Sequence, residues 1–209
     1  MPAIPAMRFL FMSDGENSKS GGWRSRGYLP HFDGGEIPQA ITFRLYDSVP
    51  KSVLEGWQEE LARERARGVE GILRRRIERY LDQGYGSSYL KEPRIASLIQ
   101  GALLHFDSTH YRLAAWAVMP NHVHLLATPC DGHPLSRILH SIKSYTASEA
   151  NRLLNRKGQF WMKESFDRFI RDAKHFAAAA SYIENNPVKA RLCQKPQDWP
   201  YSSARLRSL

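Results

Sequence analysis

The pattern of apolar and polar residues along the chain predicts four strands. Residues 40–46 are rich in β-branched and aromatic side chains and form the first predicted strand. Residues 112–119 and 122–128 are two more strands, separated only by Pro120-Asn121, which predicts a tight connection between them. Residues 166–171 form a last short strand.

The segments between these strands show the apolar periodicity of α-helices. Residues 51–81 are helical and highly charged, and Asp172 is the expected N-cap of a last helix that Pro187 ends. Three further stripes of apolar residues recur at the spacing of a buried helix face: Ile95, Leu98, Ile99, Ala102 and Leu103; Leu135, Ile138, Leu139 and Ile142; Phe176, Ala179, Ala180 and Ile183. The order βαββαβα predicts an α+β fold, a ferredoxin-like antiparallel sheet with helices on one face.

The 209 residues are enough for one domain with additions. Residues 1–26 are rich in Gly, Ser and Asn and are expected to be a disordered tail, whereas residues 27–209 are a single domain with a charged helical insertion at about 51–92. A solvated helix face explains most of the charge in the insertion. Phosphate contact by the arginine cluster from Arg74 to Arg79 is the open alternative.

Composition favours a polyanionic partner. The chain carries 30 Lys and Arg against 21 Asp and Glu, a formal net charge of +9. No apolar run reaches the length of a membrane span, so we expect no membrane partner and a cytoplasmic protein. Cys130 and Cys193 match no zinc spacing and are expected to be reduced thiols.

A histidine pair is the main candidate for a functional site in the sequence. His122 and His124 lie two residues apart in a predicted strand, so their side chains point to the same face. Neutral imidazole is a good ligand for divalent ions. The alternative is a pair that serves only hydrogen bonding.

A second candidate group lies on the last predicted helix. Tyr182 and Asn186 are four residues apart, so the phenol and the carboxamide project from one side of that helix. The alternative is a tyrosine at the edge of the core and an asparagine that caps the helix C-terminus.

In combination, these segments resemble the single-tyrosine HUH transposases, IS200-like enzymes, and among them the REP-associated tyrosine transposases of bacteria. The similarity runs from about Gly27 to the C-terminus and is carried by the following motifs: Met119-Pro-Asn-His-Val-His124, Trp161, Phe166-Asp-Arg168, Ile170-Arg-Asp172, Tyr182-Ile-Glu-Asn-Asn-Pro-Val-Lys189 and Asp198-Trp-Pro-Tyr-Ser-Ser203. The resemblance implies the HUH endonuclease/transposase fold and a metal-dependent tyrosine DNA transposase. It further implies cleavage and rejoining of single-stranded or hairpin, REP-like DNA through a 5′-phosphotyrosine intermediate. A bacterial, nucleoid-associated location is likewise implied by the resemblance.

The chemistry of a phosphodiester assigns roles to these residues. The phosphate charge repels nucleophiles, so the site needs a cation and a positioned nucleophile. We expect His122 and His124 to hold Mg²⁺ or Mn²⁺, with Asn186 as the third ligand, and Tyr182 to attack. Tyr145, on the helix after Pro134 and next to Lys143, is the competing nucleophile, although it falls close enough to the apolar stripe of that helix to be a packing residue.

DNA contacts are expected from basic residues near the predicted site. The candidates are Arg137, Lys143, Arg152, Arg168, Arg171 and Lys189. Two other functions stay open: a domesticated DNA-binding protein of the same fold without turnover, and a phosphodiesterase in which the metal activates water. The target DNA, and the choice between monomer and homodimer, are not fixed by the sequence.

Overall fold

The computed structural model describes residues 22–25, 30–33, 35–65 and 68–208. Near the N-terminus, the backbone of β1 (Gly22–Ser25) pairs antiparallel with that of β2 (Pro30–Asp33), a hairpin that the apolar pattern did not predict. The rest of the tail expected at residues 1–26 lies outside the described residues.

Four strands form the central sheet in the order β4-β5-β3-β6. They are β3 (Gln39–Arg44), β4 (Tyr111–Val118), β5 (His122–Pro129) and β6 (Phe166–Phe169). All three neighbouring pairs are antiparallel. The chain therefore leaves β3, reaches the far edge at β4 and returns to the centre with β5. This is the predicted ferredoxin-like arrangement, and the predicted fold class is confirmed.

Six α-helices accompany the strands in the residues that the structure describes. They are α1 (Lys51–Arg63), α2 (Val69–Asp82), α3 (Pro93–His105), α4 (Leu135–Leu153), α5 (Ala173–Lys189) and α6 (Ser203–Arg207). In the part of the chain described, none of them has the length and apolar character needed to cross a membrane.

The helices cover both faces of the sheet, so the prediction that they lie on one face is wrong. Helices α3 and α4 pack on the face formed by the odd-numbered residues of β5, such as Val123 and Leu125. Helix α5 packs on the opposite face through Ile183 and its alanines, next to Leu126 of β5. All eight residues of β5 are buried because both faces are covered. His122 and His124 share the face of Leu126 and therefore lie on the α5 side.

The ends of α5 match the sequence only in part. The Asp172 side chain accepts a hydrogen bond from the His175 amide at 2.7 Å, which confirms the predicted N-cap. Pro187, however, does not end the helix, which continues to Lys189. A proline lacks only its own N–H, and two more residues of the last turn still fit beyond it.

The predicted charged insertion contains a helical hairpin. Helices α1 and α2 bury an apolar seam that includes Trp57, Ile77 and Leu81, with Phe166 of β6 packed against it. Across the hairpin, both terminal nitrogens of Arg76 bind the Glu60 carboxylate, at 2.7 and 2.9 Å. This packing brings the C-terminal end of α2 to the histidine face of the sheet.

Candidate active site

The two histidines meet side by side on β5. His122 and His124 are almost fully buried, and their Nε2 atoms lie 2.8 Å apart. On its other side, each ring has a polar partner: His122 Nδ1 lies 2.7 Å from the Asn121 side-chain oxygen, and His124 Nδ1 lies 2.8 Å from the Thr42 hydroxyl. The Nδ1 atoms are thus engaged, and the Nε2 atoms are turned toward each other.

Asn121 determines which nitrogen of His122 carries the proton. The Asn121 amide nitrogen donates to the backbone carbonyls of Leu81 and Tyr85, at 3.3 and 3.1 Å. Its amide oxygen is therefore the atom that faces His122 and can only accept, so His122 Nδ1 must donate. In a neutral ring, this leaves a lone pair on His122 Nε2, which is the arrangement of a metal-binding histidine with its orienting partner.

Burial keeps both rings neutral. It lowers the pKa of His122 to about 3. Burial, together with the nearby His122, Arg74 and Lys189, also holds the pKa of His124 well below its usual value. At neutral pH both imidazoles are unprotonated, which is the form that binds a divalent ion.

A carboxylate that sequence reasoning missed completes the cluster. Asp82, the last residue of α2, has an oxygen 3.8 Å from His122 Nε2, and the three candidate ligand atoms lie within 4.8 Å of one another. Burial, and then the nearby Glu78, raise the pKa of Asp82 to about 6. The available signal was only that an acidic residue ends a predicted helix, which is too common a feature to single it out.

Tyr182 faces the histidines from α5. Its ring centroid lies 6.0 Å from that of His124, and the Lys189 ammonium lies 4.0 Å from the centre of the Tyr182 ring. The residue is 38% exposed, so it borders both the cluster and solvent. Burial raises the pKa of Tyr182 to about 12, helped by Glu78 and Asp82, with a smaller opposing effect of the Asn186 side chain.

Asn186 lies one helical turn beyond Tyr182 and is completely buried. Among the described residues, neither its amide oxygen nor its amide nitrogen forms a well-aligned hydrogen bond, although its side chain lies near enough to the Tyr182 phenol to lower the pKa of that group. A buried carboxamide with both atoms unsatisfied is costly, and such a group in a native structure calls for an explanation such as an ion. The simple capping role considered from the sequence does not supply one.

The predicted DNA contacts fall in two regions. Lys189 lies at Tyr182, and Arg168 is exposed on the edge strand β6. Arg171 is also exposed, at the ring of Phe169 just after that strand. The other three, on α4, are across the sheet from the histidines. There Arg137 is exposed, Arg152 pairs with Glu149, and the Lys143 ammonium donates to the carbonyls of Met162 and Lys163.

Tyr145 is separated from the histidines by the sheet. Helix α4 packs on the face opposite His122 and His124, through residues such as Ile142. Tyr145 itself is 56% exposed and is therefore not the packing residue expected from its helical position. The structure brings Tyr182 to the histidine pair and does not bring Tyr145 there.

The sequence relationships agree with this site. Residues 90–186 match the family described as IS200-like transposases. A Haemophilus influenzae protein described as a REP-associated tyrosine transposase is 28% identical over 131 residues, which are 58% of this chain and 72% of that protein. A REP-associated tyrosine transposase of Escherichia coli K12 is 30% identical over 95 residues, 44% of this chain and 54% of that protein.

A solved structure shares the fold. It is that of a REP-associated tyrosine transposase bound to a REP hairpin, with a TM-score of 0.54 and 18% identity, and the match covers 88% of this chain and 84% of the other. Residues 90–186, a little under half of the chain, are thus similar to the IS200-like transposases. The two relatives described above are REP-associated tyrosine transposases, so the similarity points to that group.

Proposed function

We propose that this protein cleaves and rejoins single-stranded DNA next to a hairpin, with Tyr182 as the nucleophile and a divalent ion, Mg²⁺ or Mn²⁺, as its cofactor. The observation that carries the proposal is the meeting of Tyr182, from α5, with the His122 and His124 pair, from β5, on one face of the sheet. Two rigid elements therefore hold the nucleophile and the ligand atoms together.

The residues present fit a divalent ion. His122 and His124 direct imidazole nitrogens toward one point, and Asp82 adds an oxygen. Asn186, with an unsatisfied buried amide, is the proposed further oxygen donor. Mixed nitrogen and oxygen donors with open positions suit a catalytic site rather than a closed structural one. An ion bound there would neutralise charge on a non-bridging phosphate oxygen.

The remaining chemistry falls to the protein itself. The raised pKa of Tyr182 means that the phenol is protonated at neutral pH before reaction. During attack, the phenol loses its proton and its oxygen forms a bond to phosphorus while the bond from phosphorus to the 3′ oxygen breaks. The leaving oxygen gains a proton. The products are a 5′-phosphotyrosine and a free 3′-OH, and the reverse reaction rejoins a strand without an external energy source.

Hairpin DNA is the proposed partner for two reasons. The net charge of +9 favours a polyanion. The structural neighbour is also described as bound to a REP hairpin. Of the predicted DNA contacts, Lys189 and Arg168 on the histidine face are the ones we assign to the cleaved strand. For Arg137, Arg152 and Arg171 we propose contacts with more distant parts of the hairpin.

The test is cleavage of a labelled hairpin with single-stranded flanks in Mg²⁺ or Mn²⁺. His122→Ala and His124→Ala should abolish cleavage but leave DNA affinity largely intact, because phosphate contacts supply most of the binding. His140→Ala, an exposed histidine on α4, is the matched control and should cleave normally. Equal cleavage by the wild type and both β5 variants would contradict the proposal. Tight hairpin binding by the wild type without any cleavage would indicate a domesticated binding protein.

A further inference from the structure

A cleft leads from solvent to Tyr182. Its volume is about 720 Å³, and it lies between α2 with its following turn and the C-terminal end of α5. Tyr182 and Asp82 both line it. The cleft is thus continuous with the candidate active site, and one of its walls is the insertion for which the sequence predicted mainly a solvated surface.

The arginines of α2 divide into paired and unpaired groups. Arg74 binds Glu78 at 2.9 Å, and Arg76 binds Glu60 of α1. Arg75 and Arg79 are exposed, line the cleft and form no ion pair within the described ranges. Arg75 and Arg79 each have an acidic residue three positions further along α2, Glu78 and Asp82, but neither arginine forms an ion pair with it in the described residues.

The unpaired cations are spaced along the cleft. Arg75 and Arg79 are four residues apart on α2, so they lie on one side of it and about 6 Å apart along its axis. Lys189 and Arg191 face them from the opposite wall. The lining also includes the carboxylates of Glu78, which is paired with Arg74, and of Asp82, which belongs to the histidine cluster. Cations spaced along both walls of the cleft suit the successive phosphates of an extended strand.

An exposed aromatic ring, that of Tyr85, also lines the cleft. Tyr85 is 54% exposed and has its ring centroid 4.9 Å from that of Tyr80. Its carbonyl is held by the Asn121 amide. The next residue, Gly86, has a φ of +76° and packs so tightly on Ser48 that a Cβ would lie 2.1 Å from the Ser48 carbonyl oxygen. The ring is therefore presented to solvent from a fixed loop.

We propose that this cleft binds the single-stranded DNA flank that contains the scissile phosphate, with Arg75 and Arg79 on its phosphates and Tyr85 stacked on one base. The proposal rests on the proposed function, since it specifies how the strand reaches Tyr182. Aromatic stacking with phosphate contacts binds single strands with little dependence on base identity. The insertion at residues 51–92 would thereby supply one wall of the substrate site.

The test compares two DNAs, a hairpin with a single-stranded flank and the same hairpin without it. Arg75→Ala/Arg79→Ala should weaken binding of the flanked hairpin at least about tenfold, and lower the slope of log K against log[salt] by about 1.4, or 0.7 for each lost contact. Binding of the flankless hairpin should be unchanged. Lys51→Ala/Arg63→Ala, which removes two charges from exposed ion pairs on α1, is the matched control and should affect both DNAs equally and little.

Tyr85 is tested separately. Tyr85→Phe keeps the ring and should bind the flanked hairpin like the wild type, whereas Tyr85→Ala should bind it roughly 5- to 100-fold more weakly. A photoreactive base in the flank should crosslink to the peptide that contains Tyr85. Unchanged affinity of both the Arg75→Ala/Arg79→Ala and Tyr85→Ala variants, in a protein that still cleaves DNA, would overturn the cleft proposal alone. A wild type that does not cleave, but whose flank binding still depends on these residues, would overturn only the catalytic proposal.

Discussion

Asn121 offers a sharp test of how the proposed metal ligands are oriented. Its side-chain oxygen accepts from His122 Nδ1, and its amide nitrogen donates to the carbonyls of Leu81 and Tyr85. Asn121→Ala removes all three hydrogen bonds, so His122 is free to change its tautomer and ring orientation. Loss of such an orienting partner typically reduces metal affinity about 10- to 100-fold. We expect a Mn²⁺ dissociation constant raised by that factor.

The cost in stability should be smaller than three buried hydrogen bonds suggest. The Leu81 carbonyl keeps a second donor, the Gly84 amide at 2.9 Å. The Tyr85 carbonyl lies in a partly buried contact where water can replace the lost amide. We therefore expect the free energy of unfolding in metal-free buffer to fall by about 1–3 kcal/mol, the cost of roughly one unsatisfied buried group. The variant should still fold.

The assay is calorimetric titration with Mn²⁺, combined with urea unfolding. Asn121→Asp separates the two effects, because a carboxylate still accepts from His122 Nδ1 but cannot donate to the two carbonyls. It should lose stability yet bind Mn²⁺ more tightly than Asn121→Ala. Asn151→Ala, which loses a single exposed bond to the Gly158 carbonyl, is the control and should bind Mn²⁺ normally. A folded Asn121→Ala variant with wild-type Mn²⁺ affinity would refute the reasoning.

Two further predictions concern the same cluster. Asn186→Ala should raise the Mn²⁺ concentration for half-maximal cleavage about tenfold or more, yet retain activity at saturating Mn²⁺. An unchanged titration would show that Asn186 is not a ligand of the ion. In metal-free buffer, the free energy of unfolding should fall as pH drops below about 6.5, because the unfolded chain takes up protons that buried His122 and His124 exclude. The loss is up to about 1.4 kcal/mol per pH unit for each histidine. Below about pH 6, Asp82 offsets part of this loss, because its raised pKa lets the folded state take up a proton that the unfolded state does not. Urea unfolding at pH 7, 6 and 5 measures this loss, which should shrink in His122→Gln/His124→Gln; the same pH dependence in that variant would contradict the assigned cause.

The sheet was predictable because its signals are local. The β-rich run of β3 and the short connection before His122 are properties of adjacent residues, and so is the side-chain alternation that puts His122 and His124 on one face. The placement of α5 was not predictable in the same way. The alternation in β5 separates the histidine face from the face of Val123 and Leu125, but because both faces are buried it does not indicate which helix covers which face.

Asp82 and Asn121 show where sequence reasoning ends. Asp82 reaches His122 only because α2 folds back on α1 and ends beside the sheet, a consequence of tertiary packing. Asn121 lies in the tight turn between β4 and β5, and its sequence context predicts only that connection. Its role depends on two carbonyls from the segment after α2, some 40 residues earlier in the chain. Neither contact can be recognised from the periodicity of apolar and polar residues along the sequence.

The most direct test of the central claim is to identify the residue that becomes joined to DNA. A trapped adduct with a hairpin substrate should be digested and its modified peptide located by mass spectrometry. We expect the DNA on the peptide that contains Tyr182, with no adduct in Tyr182→Phe and a normal adduct in Tyr145→Phe, because the sheet separates Tyr145 from the histidines. DNA attached to Tyr145, or an adduct that survives Tyr182→Phe, would contradict the account.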